Sequence, residues 1–204
     1  MDHEHRPDDS ATASRLRALL DRPVVLVGMM GVGKSSVGRR LATLLGVEFV
    51  DADEEIERAA QLSIPEIFAQ YGEATFRDGE RRVIARLVDG EAERQVVRVI
   101  ATGGGAFVNP ETRALVLSRA IAVWLDASIE VLLERTQRRD NRPLLQGGNP
   151  RETLTRLAAE RAPCYAEAPI RITSGHAPHS RTVATVAAAL LDHLAPPSAG
   201  KPQP

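Results

Sequence analysis

Lysine is almost missing from this chain: of its 26 basic residues, only Lys34 and Lys201 are not arginine. That scarcity excludes an N-K-x-D base-recognition motif, and with it a GTP switch. Cysteine is scarcer still. Cys164 stands alone, which rules out an intrachain disulfide and a cysteine-cluster zinc site and fits a reducing compartment. A formal net charge of -1 gives no global attraction to nucleic acid or to an acidic membrane. No apolar run reaches the ~20 residues that a membrane helix requires, and the most apolar stretches, such as "AIAVWLDA", are soon broken by charge. The opening "MDHEHRPDDSATAS" has no apolar core for secretion and too many acids for a transit peptide. A cytoplasmic protein is expected, without nucleic-acid or membrane partners.

What is present reads as one domain. At 204 residues the chain can bury a core without disulfides or a structural metal. Its apolar runs, "VVLVG" (24–28), "VEFVD" (47–51), "VVRVIA" (96–101), "IAVWLD" (121–126) and "IRIT" (170–173), alternate with helical patterns. Alternation of this kind predicts an α/β fold, a parallel sheet with crossover helices on both faces. Helices are predicted after Gly33 with a stop at Gly46, from Ser63 with a capping box to Glu66 and a stop at Gly72, and from Asn109 with Pro110 in the first turn. Three more are expected at about 128–138, 151–161 and 182–194, with "RDNRPLLQGGNP" as a mobile loop between the first two. Residues 1–22 and the Pro-rich 195–204 are expected to be largely disordered ends around a domain at 23–194. Trp124 is expected in the core.

The one lysine inside the domain has a function to match its isolation. Gly28-Met29-Met30-Gly31-Val32-Gly33-Lys34-Ser35 fits G-x-x-x-x-G-K-[ST] between an apolar strand and an amphipathic helix. Such a loop curls main-chain N–H groups around phosphate oxygens, and the lysine reaches the outer phosphates as a point charge. Gly31, Val32, Gly33, Lys34, Ser35 and Ser36 are therefore candidate nucleotide-binding residues, with the Ser35 hydroxyl offered to Mg²⁺.

An acidic site is expected in "VEFVDADEEIE". Residues i and i+2 of an extended segment point to one side, so Asp51 and Asp53 can face the crevice at the carboxyl ends of the strands. There they could share Mg²⁺ and a substrate hydroxyl. The alternative is an ordinary acidic helix start, with Asp53 capping a helix from Glu54.

Taken together, "GMMGVGKSSVGRRLA", "FVDADEEIE", "FR..E" (Phe76, Arg77, Glu80), "TGGG" (Thr102 to Gly105), "RPLL" (Arg142 to Leu145) and "ERAPCY" (Glu160 to Tyr165) resemble the shikimate kinase family. The resemblance spans about Val24 to Leu194 and implies a P-loop three-layer sandwich of the nucleoside-monophosphate-kinase type, with five parallel strands in the order 2-3-1-4-5. It implies transfer of the ATP γ-phosphate to the 3-hydroxyl of shikimate. By the same resemblance, Arg77, Arg161 and Gly103 to Gly105 hold the acceptor, Asp53 receives from the attacking hydroxyl, and Asp51 joins Ser35 at Mg²⁺. Lys34 and Arg142 neutralise the moving phosphoryl group, Arg142 from a closing lid. Arg135 and the loop "SGHAPHS" (174–180) lie where the family contacts adenine. Ser36 stands where threonine is more usual. The small polar acceptor suits a monomer. Two other readings compete: another small-molecule kinase of this fold, such as a gluconate or nucleoside monophosphate kinase, against which the paired aspartates, "FR..E", GGG and "RPLL" argue, and a silent nucleotide-binding regulator, against which the presence of Asp53, Arg77, Arg142 and Arg161 argues.

Overall fold

The computed structural model describes residues 7–90, 96–137 and 149–195. Its sheet has strands β1 (Val24–Val27), β2 (Glu48–Asp51), β3 (Arg98–Ala101), β4 (Ile121–Asp126) and β5 (Ile170–Thr173). They pair in parallel in the expected order β2-β3-β1-β4-β5. Burial follows position in the sheet. Every residue of central β1 is inaccessible, whereas edge strand β5 alternates buried and exposed, because only central strands are covered throughout.

The helices are α1 (Pro7–Leu19), α2 (Lys34–Leu45), α3 (Ala52–Ala60), α4 (Ile64–Asp89), α5 (Pro110–Arg119), α6 (Ile129–Gln137), α7 (Pro150–Tyr165) and α8 (His179–Leu194). Their ends follow local chemistry. Gly46 closes α2 in the left-handed region, Ser63 and Glu66 form the full capping box of α4, and Asn109 caps α5. Gly72, at φ 76° and ψ 172°, interrupts α4, so the predicted stop is a break between two helical segments. Trp124 lies in the core, only 7% exposed.

Two expectations require correction. Residues 7–19 are helical, and α1 packs on α8 and α2 with Ala13, Leu16 and Leu20 buried. Arg17 fastens it: its Nε donates to Leu45 O at 2.5 Å, supplying a donor to a carbonyl that the end of α2 leaves unpaired. The apolar positions that do this are few among polar neighbours, which made the segment read as a tail. The second correction is α7, which runs through Pro163 to Tyr165 rather than ending near Arg161.

Most buried residues form one core around the sheet. A second, small cluster joins Ile56 of α3 to Ile67 and Phe76 of α4. The loops after β1, β2 and β3 open at the carboxyl ends of adjacent strands, and strand order reverses at β1, the usual place for a ligand crevice in such a sheet.

Candidate active site

The turn after β1 needs its glycines. Gly28 has φ 133°, and a Cβ there would lie 2.2 Å from Leu125 O, so β1 can leave the sheet beside β4 only without a side chain. Gly31 and Gly33 also have positive φ, and Gly33 heads α2 without any side-chain cap. The first N–H groups of α2 thus stay available for an anion. Lys34, buried at 9% exposure, folds back over the loop and donates from Nζ to Gly28 O at 2.8 Å and Met29 O at 3.0 Å. Next along the helix, Ser35 Oγ donates to Asp51 Oδ2 at 2.6 Å. Ser36 is half-buried on the first turn, and Val32 is fully buried.

The two aspartates converge, though not along one strand. Asp51 ends β2 and is itself the N-cap of α3, accepting from Asp53 N at 3.1 Å. Asp53 is in the first turn of that helix and is not its cap, so both sequence alternatives mistook its geometry. Burial, then the Asp51 charge, pushes the Asp53 carboxyl up to about 6, while Lys34 pulls the other way.

Opposite lies the triple glycine after β3, and each of its residues faces a different side chain. A Cβ on Gly103 would sit 2.8 Å from both Asp53 Oδ1 and Glu80 Oε1; on Gly104, 3.4 Å from an Arg161 nitrogen; on Gly105, 2.8 Å from an Arg77 nitrogen. Bare backbone is therefore what lets two carboxylates and two guanidiniums share a single turn. Arg77 pairs with Glu80 at 2.7 Å and Glu73 at 3.2 Å, and Arg161 donates to Gly104 O at 3.0 Å. Glu80 is 3% exposed, and among the described residues its Oε1 accepts no hydrogen bond. Burial raises its pKa against the opposing pull of Arg77 and Arg161.

Arg135 crosses from α6 to the phosphate loop, donating to Val32 O at 3.0 Å and to Gly175 O at 2.7 Å. It thereby joins the loop at 174–180 to the nucleotide side, where His179 packs against Gly33. Arg142 and the lid sequence through residue 148 lie outside the described residues. Sequence reasoning passed over Glu80 and Tyr165, quoting both within motifs without assigning them work. A carboxylate on a charged helix carries no mark of burial until the fold sets it beneath Gly103.

Ser35 and Asp51 offer adjacent oxygen donors, the chemistry that suits Mg²⁺ when substrate phosphates complete the shell. No group of three or more His, Cys, Asp or Glu among the described residues forms a metal cage of its own.

A phosphate loop at the switch point of a 2-3-1-4-5 sheet, facing a pocket with a carboxylate and two arginines, defines a P-loop kinase of small molecules. A family model described as shikimate kinase matches residues 30–193. The shikimate kinase of Novosphingobium aromaticivorans is 59% identical over 93% of this chain and 98% of its own length. The structure of shikimate kinase from Acinetobacter baumannii in complex with shikimate is 38% identical, with a TM-score of 0.80 over 89% of this chain and 98% of that one. A gluconokinase structure from Sinorhizobium meliloti, at 18% identity and TM-score 0.55 over 85% of this chain and 94% of its own, shares the fold. The chain belongs to the shikimate kinase family. No described helix is long and apolar enough to cross a membrane.

Proposed function

We propose that this chain moves the γ-phosphate of ATP onto the 3-hydroxyl of shikimate, acting as a cytoplasmic monomer. The observation that carries the reading is the triple glycine turn flanked by Asp53, Arg161 and Arg77. Shikimate is a small ring with one carboxylate and three hydroxyls, so it needs charged forks on one side and an acceptor for a hydroxyl proton on the other. Arg77 and Arg161 supply the forks, and bidentate charge-assisted pairing suits them to a carboxylate.

In this reading Gly103 to Gly105 let the ring approach the backbone closely. Asp53 orients the 3-hydroxyl and takes its proton as the oxygen bonds to the γ-phosphorus. The bond from that phosphorus to the β–γ bridging oxygen breaks, and ADP leaves. Lys34, turned from the Gly28 and Met29 carbonyls, and the amides of Gly31 to Ser36 hold the phosphates. Ser35 and Asp51 would hold Mg²⁺, which neutralises phosphate charge when bound. Arg135 borders the adenine side, and Arg142 adds a cation over the transferring group.

An ADP-release assay with shikimate, gluconate and nucleoside monophosphates tests the reading. Turnover is expected with shikimate; turnover only with another acceptor, or only without one, would overturn it. Because an arginine over the phosphoryl group acts mainly in the transition state, Arg142→Ala is expected to lower kcat by about 10³-fold while leaving the KM for shikimate nearly unchanged. Normal kcat in that variant would remove Arg142 from the mechanism.

A further inference from the structure

Tyr165 is buried at 1% exposure, far from the phosphate loop in sequence, and is given no part in the reading above. Its hydroxyl donates to Gly104 O, the middle carbonyl of the acceptor turn. Arg161 donates to that same carbonyl at 3.0 Å. A single oxygen therefore links the turn to two residues one helical turn apart on α7. The other side of Gly104 is also constrained, since a Cβ there would lie 3.2 Å from Met30 N and 3.6 Å from Gly28 O of the phosphate loop. The ring of Tyr165 rests against Trp124, with centroids 5.8 Å apart.

A second tie joins the same two elements. Arg113 of α5 donates to Phe107 O at 3.1 Å and Val108 O at 2.9 Å, just after the glycines, and pairs with Glu167, just after α7, at 2.9 Å. That brace fixes the segments around the turn but touches none of its three glycines. Among the described residues, the side chains that hydrogen-bond to the Gly104 carbonyl are Tyr165 and Arg161. Arg161 cannot both anchor the turn and turn its full fork to a ligand unless another donor keeps the carbonyl satisfied.

We propose that Tyr165 is a positioning residue for the acceptor: its hydroxyl holds the Gly104 carbonyl so that Arg161 is free to address the substrate carboxylate. Burial pushes the phenol up to about 12, so it remains a donor throughout the working range of pH. The inference rests on the reading of this pocket as the shikimate site. It deepens that reading by naming a residue that sets the reach of one arm of the carboxylate fork.

The test is Tyr165→Phe, which keeps the ring in its place against Trp124 and removes only the hydroxyl. Loss of one buried hydrogen bond predicts a rise of about three- to tenfold in the KM for shikimate, with the KM for ATP and the melting temperature little changed. An unchanged KM for shikimate would overturn the proposal, and so would a parallel rise in both KM values with a fall in melting temperature, which would mark a purely structural role. Repeating the substitution in an Arg161→Lys background gives an independent check. Because Tyr165 acts through Arg161, its effect on the KM for shikimate should shrink there; full additivity of the two changes would sink the idea. Wild-type enzyme inert toward shikimate would overturn both this inference and the reading beneath it, whereas active wild type with an indifferent Tyr165→Phe would overturn this one alone.

Discussion

Asp53 is held between Asp51 and Lys34, and the balance of burial against those charges sets when it can accept a proton. Its carboxyl is raised to about 6 from an ordinary 3.8, so the rate with shikimate should climb with pH through that value as the basic form appears. A flat profile from acid to neutral pH would argue against Asp53 as the base. The same shift has a cost in stability. The folded state binds this proton more tightly than the unfolded chain, so the stability it confers is present below pH 3.8 and lost as pH rises through about 6. Asp53→Asn should therefore abolish turnover yet melt a few degrees higher than wild type at neutral pH (about 2–5 °C for a modest gain), with the difference narrowing in acid. A lower melting temperature at neutral pH would show that the charge is compensated in the apo protein. The sequence made the pair of acids visible but not their geometry. Spacing alone suggested a shared strand face, whereas Asp51 stops the strand and caps the helix that carries Asp53. Glu80 was illegible for a different reason: its importance arises from burial beneath Gly103, a contact between α4 and the turn after β3 rather than between neighbours along the chain.

Among the elements, the glycine turns differ in what they tolerate. Gly28 combines φ 133° with a backbone oxygen 2.2 Å from any added methyl, so Gly28→Ala displaces β1 or β4 and should leave little folded protein. Gly103 has an ordinary backbone conformation, and its methyl would meet only the ends of Asp53 and Glu80, at 2.8 Å. Gly103→Ala should fold with a melting temperature within a few degrees of wild type, by about 1–3 kcal/mol of crowding, but lose most of its activity toward shikimate. Circular dichroism and the coupled assay on the two variants distinguish these outcomes; an active Gly103→Ala enzyme would show that the turn lies outside the acceptor pocket. Strands were the most legible elements, because an apolar run covered on both faces has few other fates: β1, β2 and β3 lie within slightly longer predicted runs, and β4 and β5 coincide with theirs. Helix ends were legible where a cap marked them, as at Ser63 and Asn109. They were not legible at Pro163, since proline ordinarily argues for a stop and here the surrounding packing carries α7 onward to Tyr165.

For the molecule as a whole, the N-terminal helix changes what counts as the domain. Leu16 is fully buried where α1 lies across α2 and α8, helices that flank the nucleotide side. Leu16→Ala should destabilise the protein by about 2–5 kcal/mol, read by chemical denaturation, with both KM values close to wild type because α1 packs on α2 and α8. No loss of stability would mean that the helix detaches freely in solution. The overall architecture was legible from alternation and from the phosphate loop, and the disposition of α1 was not, because three buried positions among acids and arginines give no periodic signal strong enough to outweigh a polar tail.

The small cluster of Ile56, Ile67 and Phe76 stands apart from the main core, with Gly72 interrupting the helix that builds most of it. A patch so lightly packed should open on its own, well below the free energy of global unfolding. It carries Arg77 at its margin, while Arg161 belongs to the opposite bank. An acid gripped by both would therefore act as mortar between two masonries, and amide hydrogens from Ile56 to Arg77 should exchange more slowly once shikimate is added. Exchange there indifferent to shikimate would mean that the two banks are already cemented without it.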